Sequence, residues 1–311
     1  MEKDFIDLCR MVVEEGGCSM KAPRYANKVI KLIQQANSLA ENNRHTSIQS
    51  IHLFIGASLV KEGTLKEMYY LVEPCEVEFK RLIETLSPEP SSGVRIEAFS
   101  MPLSSHAYKI WSASMDIMKR YNQTFLNEGH LIKAFFSLLS EHPQLKQGME
   151  TFPKESIIQS VATARDLTVN LLNKDWSCEE DPNVEISIVQ RIEKEGFLSW
   201  VEKHFGESWF ETLRSAFESS SDTIPILKAE EKGNLVGFAA YDVYMKKKGI
   251  FGPMGVLPTT RHQGVGKRLL YAALRNMKEK GYMYAVLKEA GPIEFYERTC
   301  SAKLIPLEKI Q

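Results

Sequence analysis

Residues 252–270, GPMGVLPTTRHQGVGKRLL, constrain the fold more tightly than any other stretch of the chain. An apolar run enters a glycine-rich turn of the form R-x-x-G-x-G (Arg261, Gly264, Gly266), and apolar residues at helical spacing leave it. This pattern predicts a strand, a tight turn and a helix. Free N–H groups at a helix start form an anion site, and the helix dipole adds about half a positive charge there. Arg261, His262, Lys267 and Arg268 are expected to surround it, so a phosphate or pyrophosphate is the expected ligand. A Walker A loop needs G-x-x-x-x-G-K-[ST]. Here Arg268 follows Gly266-Lys267, and Arg261 stands where the first glycine belongs. The dinucleotide fingerprint G-x-G-x-x-G, with an acidic residue about 20 positions on, is also absent.

The chain changes character near residue 173. Before it, apolar residues recur at helical spacing, as in Val29, Leu32, Ile33, Ala36 and Ala40. Ile51 to Val60 and Val77 to Leu86 predict two more helices. A turn-rich connector, SPEPSSG (87–93), follows. The pattern then repeats with Ala107, Ile110, Trp111, Met115 and Met118. His130-Leu131-Ile132 opens a helix as His52-Leu53-Phe54 does, 78 residues earlier. A final helix is expected from about Pro153 to Leu172. The two repeats span about 20–86 and 100–172. Neither histidine has the companions of a metal site, so His52 and His130 are read as capping or packing groups and no metal is expected.

The polar, acidic stretch NKDWSCEEDPN (173–183) is expected to be an interdomain linker. Beyond it strands and helices alternate. Strands are predicted over 184–189, 224–229, 235–244, 250–257, 284–287 and 303–307. Helices are predicted over 197–205, 209–217, 264–281 and 292–298, with Gly281 closing the longest.

The 311 residues suffice for two cores. A formal net charge of −1 gives no electrostatic reason to expect nucleic acid or membrane binding. The five cysteines (Cys9, Cys18, Cys75, Cys178 and Cys300) are scattered without a C-x-x-C pair, which reads as reduced thiols in a cytoplasmic protein. The acidic start MEKDFIDLCRMVV has no long apolar core, which argues against a secretory leader. No apolar run reaches the roughly 18 residues of a membrane helix.

The string V-L-P-x-x-R-x-x-G-V-G-x-x-L-L (256–270) resembles motif A of the GCN5-related N-acetyltransferase (GNAT) superfamily. The element order over about 184–311 follows the same family, down to a short helix bearing Phe295-Tyr296-Glu297. The resemblance implies an α/β (α+β) fold with a mixed, mostly antiparallel, splayed sheet. It implies acetyl-CoA as co-substrate, its pyrophosphate held by the backbone of Arg261, His262, Gln263, Gly264, Val265, Gly266 and Lys267. Met254, Val256 and Leu257, on a bulged strand, would pair with pantetheine. Tyr296 would protonate the departing thiolate. Glu289 or Asp242 would serve as the general base. Where relatives commonly carry an Asn, the run here is Glu289-Ala290-Gly291-Pro292, which leaves one cofactor contact unassigned.

The duplicated pattern over about 1–172, RHTSIQSIHL (44–53) and NQTFLNEGHL (122–131), resembles the N-terminal repeat domain of Clp ATPases. That resemblance implies an all-α, pseudo-duplicated domain that docks proteins or peptides. No Walker motif stands in the chain, so unfoldase activity is not implied. The expected activity is transfer of an acetyl group to a small-molecule or peptide amine by direct attack. The alternative is a protein- or peptide-binding adaptor or sensor whose GNAT domain binds CoA without catalysis. A protein partner for residues 1–172, a homodimer and the identity of the amine stay open.

Overall fold

The computed structural model describes residues 24–85, 93–121, 123–179, 181–218, 223–260 and 264–307. In the first half, β1 (Arg24–Tyr25) leads into α1 (Asn27–Asn42), α2 (Ser50–Leu59), α3 (Thr64–Val72) and α4 (Glu76–Thr85). The second repeat runs α5 (Ser105–Arg120), β2 (Phe125–Leu126), α6 (Glu128–Leu138), α7 (Pro143–Gly148) and α8 (Lys154–Val161). β1 pairs in parallel with β2, and Ile48 forms a parallel bridge with Leu103. The segments ahead of α1 and α2 are thus exchanged with those ahead of α6 and α5, the pairing expected of a pseudo-twofold duplication. α2 and α6 are buried almost all round and form the centre. Gly56 lets α1 and α2 meet at backbone distance: a Cβ there would lie 3.0 Å from Ala36 N and Leu32 O.

Both histidines cap their helices. The Gln49 N–H donates to His52 Nδ1 at 3.0 Å, and the Asn127 N–H donates to His130 Nδ1 at 3.2 Å. Each ring satisfies an N-terminal backbone donor, and burial keeps each ring neutral, pushing its pKa down to about 4. The helices α3 and α7 lie outside the predicted elements, although Leu65, Met68 and Val72 of α3 are buried at helical spacing.

One expectation is corrected. The helix anticipated from Pro153 to Leu172 stops at Val161. Arg165–Asn170 is instead a strand, β3, in which Arg165, Leu167 and Val169 are buried and the residues between them are not. The period-two alternation of R-D-L-T-V-N, with Thr168 and Val169 β-branched, outweighs the helical spacing of the apolar residues before it. β3 inserts between β8 (Tyr284–Ala290) and β9 (Lys303–Leu304), antiparallel to both.

Among the described residues the sheet has seven strands in the order β4-β5-β6-β7-β8-β3-β9, with β4 (Val184–Ile188), β5 (Ile226–Glu231), β6 (Asn234–Tyr241) and β7 (Ile250–Val256) each antiparallel to the next in that run. Within this sheet, among the described residues, only β7 and β8 are parallel. α9 (Lys194–Phe205) and α10 (Glu207–Phe217) pack on one face through Phe197, Val201, Leu213 and Phe238. α11 (Val265–Glu279) and α12 (Ile293–Cys300) cover the other through Leu269, Leu270, Ala273 and Tyr296. The stretch expected as a linker is packed against α11: Trp176 is buried, its indole N–H donates to Leu171 O, and Arg275 donates to Trp176 O at 2.7 Å.

Two partly buried ion clusters join the helical unit to the sheet. Arg165 Nη1 and Nη2 each donate to Glu67 on α3 at 2.8 Å, and the guanidinium also reaches Ser160 O and Ile305 O. Lys28 on α1 contacts Glu128 at 3.1 Å and Glu297 on α12 at 2.9 Å.

Candidate active site

The site begins where β7 and β8 stop pairing. Their register runs Ile250 to Val286 and Phe251 to Leu287, and no further pair follows. Against β6, β7 steps from Met254 to Phe251 while β6 steps only from Ala239 to Tyr241. One extra residue is accommodated at Gly252-Pro253, a bulge that turns the strand away from β8. The Leu257 N–H donates to Val236 O at 2.9 Å. By antiparallel alternation, Gly255 also bonds toward β6, so the backbone groups of Met254 and Val256 face the β8 side, into the opening. Leu257 does not join them: its N–H is engaged with β6, and its carbonyl accepts from Thr260 N and Oγ1.

α11 starts beside this opening. Gly264 is its N-cap with φ +79°, a left-handed conformation that costs a non-glycine residue about 1 kcal/mol or more. The first intrahelical bond runs from Arg268 N to Gly264 O. The N–H groups of Val265, Gly266 and Lys267 precede it and have no helical acceptor. This donor set fits an oxyanion of the pyrophosphate class. Arg261, His262 and Gln263 lie outside the described residues. Lys267 Nζ sits 5.4 Å from the centroid of the Tyr271 ring. Arg268 departs from expectation: Nη2 donates to Val184 O at 2.9 Å and Nη1 lies 3.9 Å from Asp181, so it ties the preceding strap rather than lining the anion site.

Tyr296 sits at the crotch of the opening. Its ring meets Phe251, the last paired residue of β7, at a centroid distance of 6.4 Å, and Phe295 at 5.0 Å. Burial, with a smaller contribution from Cys300, holds its hydroxyl well above the usual phenol range, so it keeps its proton at neutral pH.

The two candidate bases occupy opposite ends. Glu289 is exposed at the open end of β8 with φ +51°. Tyr244 OH donates to its Oε1 at 2.8 Å, and its own N–H donates to Asp166 Oδ1 at 2.9 Å. Asp242 belongs to the closed end, where its N–H donates to Ile250 O. Its Oδ1 accepts from Gly249 N at 2.7 Å and its Oδ2 from Tyr282 OH at 2.9 Å. Burial and this hydrogen bond push Tyr282 up to about 12. Asp242 thus fastens the β6–β7 turn, at the opposite end of the strand pair from Glu289. Sequence reading missed Asp166 and Tyr244. The alternation of β3 was the signal available for Asp166; nothing local marked Tyr244.

Among the described residues, no group of three or more His, Cys, Asp or Glu side chains could hold a metal. Cys75, Cys178 and Cys300 are free thiols; Cys9 and Cys18 lie outside the described residues. Among those residues, no helix is long and apolar enough to cross a membrane.

No curated protein matches the chain. Among solved structures, a GCN5-related N-acetyltransferase from Sphaerobacter thermophilus is 16% identical, covering 56% of this chain and 64% of that one, with a TM-score of 0.38. The Hsp104 N-terminal domain from Candida albicans is 15% identical, covering 44% of this chain and 88% of that one, with a TM-score of 0.33. A glucosamine N-acetyltransferase region in a fungal multi-domain β-N-acetylglucosaminidase is 15% identical over 46% of this chain, with a TM-score of 0.37, and the match spans only 20% of that protein's length. Residues 189–301 match the model of the acetyltransferase (GNAT) family.

Proposed function

We propose that the chain is an acetyl-CoA-dependent N-acetyltransferase that acts on a primary amine. The observation that carries this reading is the β7–β8 pair, which ends at Phe251 and Leu287 beside Tyr296 and the start of α11. The backbone of Arg261 to Lys267 would hold the pyrophosphate, and Met254 and Val256 would pair with pantetheine. Bound there, acetyl-CoA supplies an acetyl thioester. The amine attacks the thioester carbonyl directly; a C–N bond forms and the C–S bond breaks. Tyr296 holds a proton at its hydroxyl for the departing sulfur. Glu289, through water, takes the proton lost by the amine, with Tyr244 fixing its carboxylate. Cys300, buried and pushed up to about 12, has no part in the transfer.

The helical unit would dock a protein or peptide, and the protein would work in the cytoplasm. The acceptor is a small-molecule or peptide amine. Calorimetry with acetyl-CoA, followed by thiol release across an amine panel, tests the reading. Binding and release support it; absence of acetyl-CoA binding removes the co-substrate, and binding without release from any amine removes the enzyme.

A further inference from the structure

A second concavity, of about 280 Å³, lies where the helical unit meets the sheet domain. Tyr121, Asn127, His130 and Lys133 line it from the helical side, and Glu294, at the start of α12, lines it from the other. Two of these side chains are more than nine-tenths buried, Glu294 and His130.

Glu294 is 6% exposed, yet no cation pairs with it among the described residues. Its one side-chain hydrogen bond among the described residues comes from the Asn127 amide at 3.3 Å, and its own backbone N–H also donates to it. The nearby lysine is committed elsewhere, since Lys28 bridges Glu128 and Glu297. Glu128 is further held by Thr64 Oγ1 at 2.7 Å. Burial, reinforced by the Glu128 charge, pushes Glu294 up to about 7.

His130 is 4% exposed. Because Nδ1 accepts the Asn127 N–H, the neutral ring carries its proton on Nε2. In the first repeat the equivalent nitrogen, His52 Nε2, lies 3.0 Å from His45 Nδ1. In the second, Nε2 has no hydrogen-bond partner among the described residues, and the ring borders the concavity. The remaining cation at the site, Lys133, reaches Tyr121 OH at 3.3 Å and lies 4.8 Å from the centre of that ring.

We propose that this concavity binds a small amino alcohol, its ammonium group seated on the Glu294 carboxylate and its neighbouring oxygen accepting the His130 Nε2–H. A buried carboxylate without a direct ion pair selects a cation, and an N–H donor at the same concavity selects an oxygen on the same ligand. The site is separate from the acetyl-transfer cleft. Residues two positions apart on a helix diverge by about 200°. Tyr296 accordingly turns to Phe251 while Glu294 turns to the helical unit. The inference does not rest on the acetyltransferase reading.

The test is calorimetry on the full chain with 2-amino-1,3-propanediol, and with glycerol as the amine-free control. The amino alcohol is expected to bind at least about tenfold more tightly than glycerol. Glu294→Gln is expected to lose about tenfold in affinity or more, while Tyr296→Phe leaves it unchanged. In the wild type, affinity is expected to fall between about pH 7.5 and pH 5.5, as Glu294 takes up a proton while the amine stays charged. This pH readout needs no variant. Equal binding of glycerol, undiminished binding by Glu294→Gln, or affinity independent of pH in that window would each overturn the assignment.

Discussion

The two ends of the β7–β8 pair are built to opposite rules. At the closed end the polar groups are engaged: Asp242 accepts from Gly249 and Tyr282, and Ile250 and Phe251 are in register with Val286 and Leu287. At the open end the backbone of Met254 faces no paired strand, three N–H groups at the start of α11 have no helical acceptor, and Glu289 stands exposed in a left-handed conformation. Unmet polar groups cost stability, and they gather at one end of the strand pair, whereas left-handed residues stand at both, Asp242 at the closed end and Glu289 at the open one. The closed end spends its side chains on holding the fold, which leaves the open end to bind.

That contrast can be broken by substitution. The largest effect is expected from Tyr296→Phe, which should slow turnover about 100-fold while acetyl-CoA affinity by calorimetry stays level; a matching loss of affinity would make the tyrosine a packing residue. Asp242→Ala should cost about 1 kcal/mol in chemical denaturation, because it leaves two partly buried donors unpaired, with acetyl-CoA affinity unaltered. If instead it reduced turnover and spared stability, the two ends would not differ as described. Arg261→Ala should weaken acetyl-CoA binding about tenfold without moving the thermal midpoint, as removal of one charged phosphate contact does. The smallest effect belongs to Gly264→Ala, which should lower stability by about 1 kcal/mol through its positive φ and weaken acetyl-CoA binding a few-fold; a neutral result would mean the turn can relax.

Much of this was legible in the residues. Val29, Leu32, Ile33, Ala36 and Ala40 face a core because their spacing is helical, and the shared cap chemistry of His52 and His130 reflects a local three-residue reach. Gly264 and Gly281 both adopt positive φ at the ends of α11, where the turn pattern required it. What escaped was non-local. Arg268 looked like an anion ligand by proximity in sequence, but a carbonyl from β4 claims it. Asp242 looked like a free carboxylate because its two donors, Gly249 and Tyr282, arrive from elsewhere along the chain. Leu257 differs from Val256 only by the alternation of strand bonding, which depends on a register no single strand encodes.

The placement of β3 has a consequence for dissection of the protein. The polar run 173–183 invites a cut, yet the strand ahead of it is hydrogen-bonded between β8 and β9. A fragment starting at Val184 would leave β9 detached and the inner edge of β8 bare, inviting intermolecular strand addition. A fragment ending at residue 172 would carry an orphan strand whose Leu167 and Val169 have lost their core. The two halves are therefore interlocked like a tenon in a mortise, and recombination at the apparent linker would break both; the separable joint lies before Arg165.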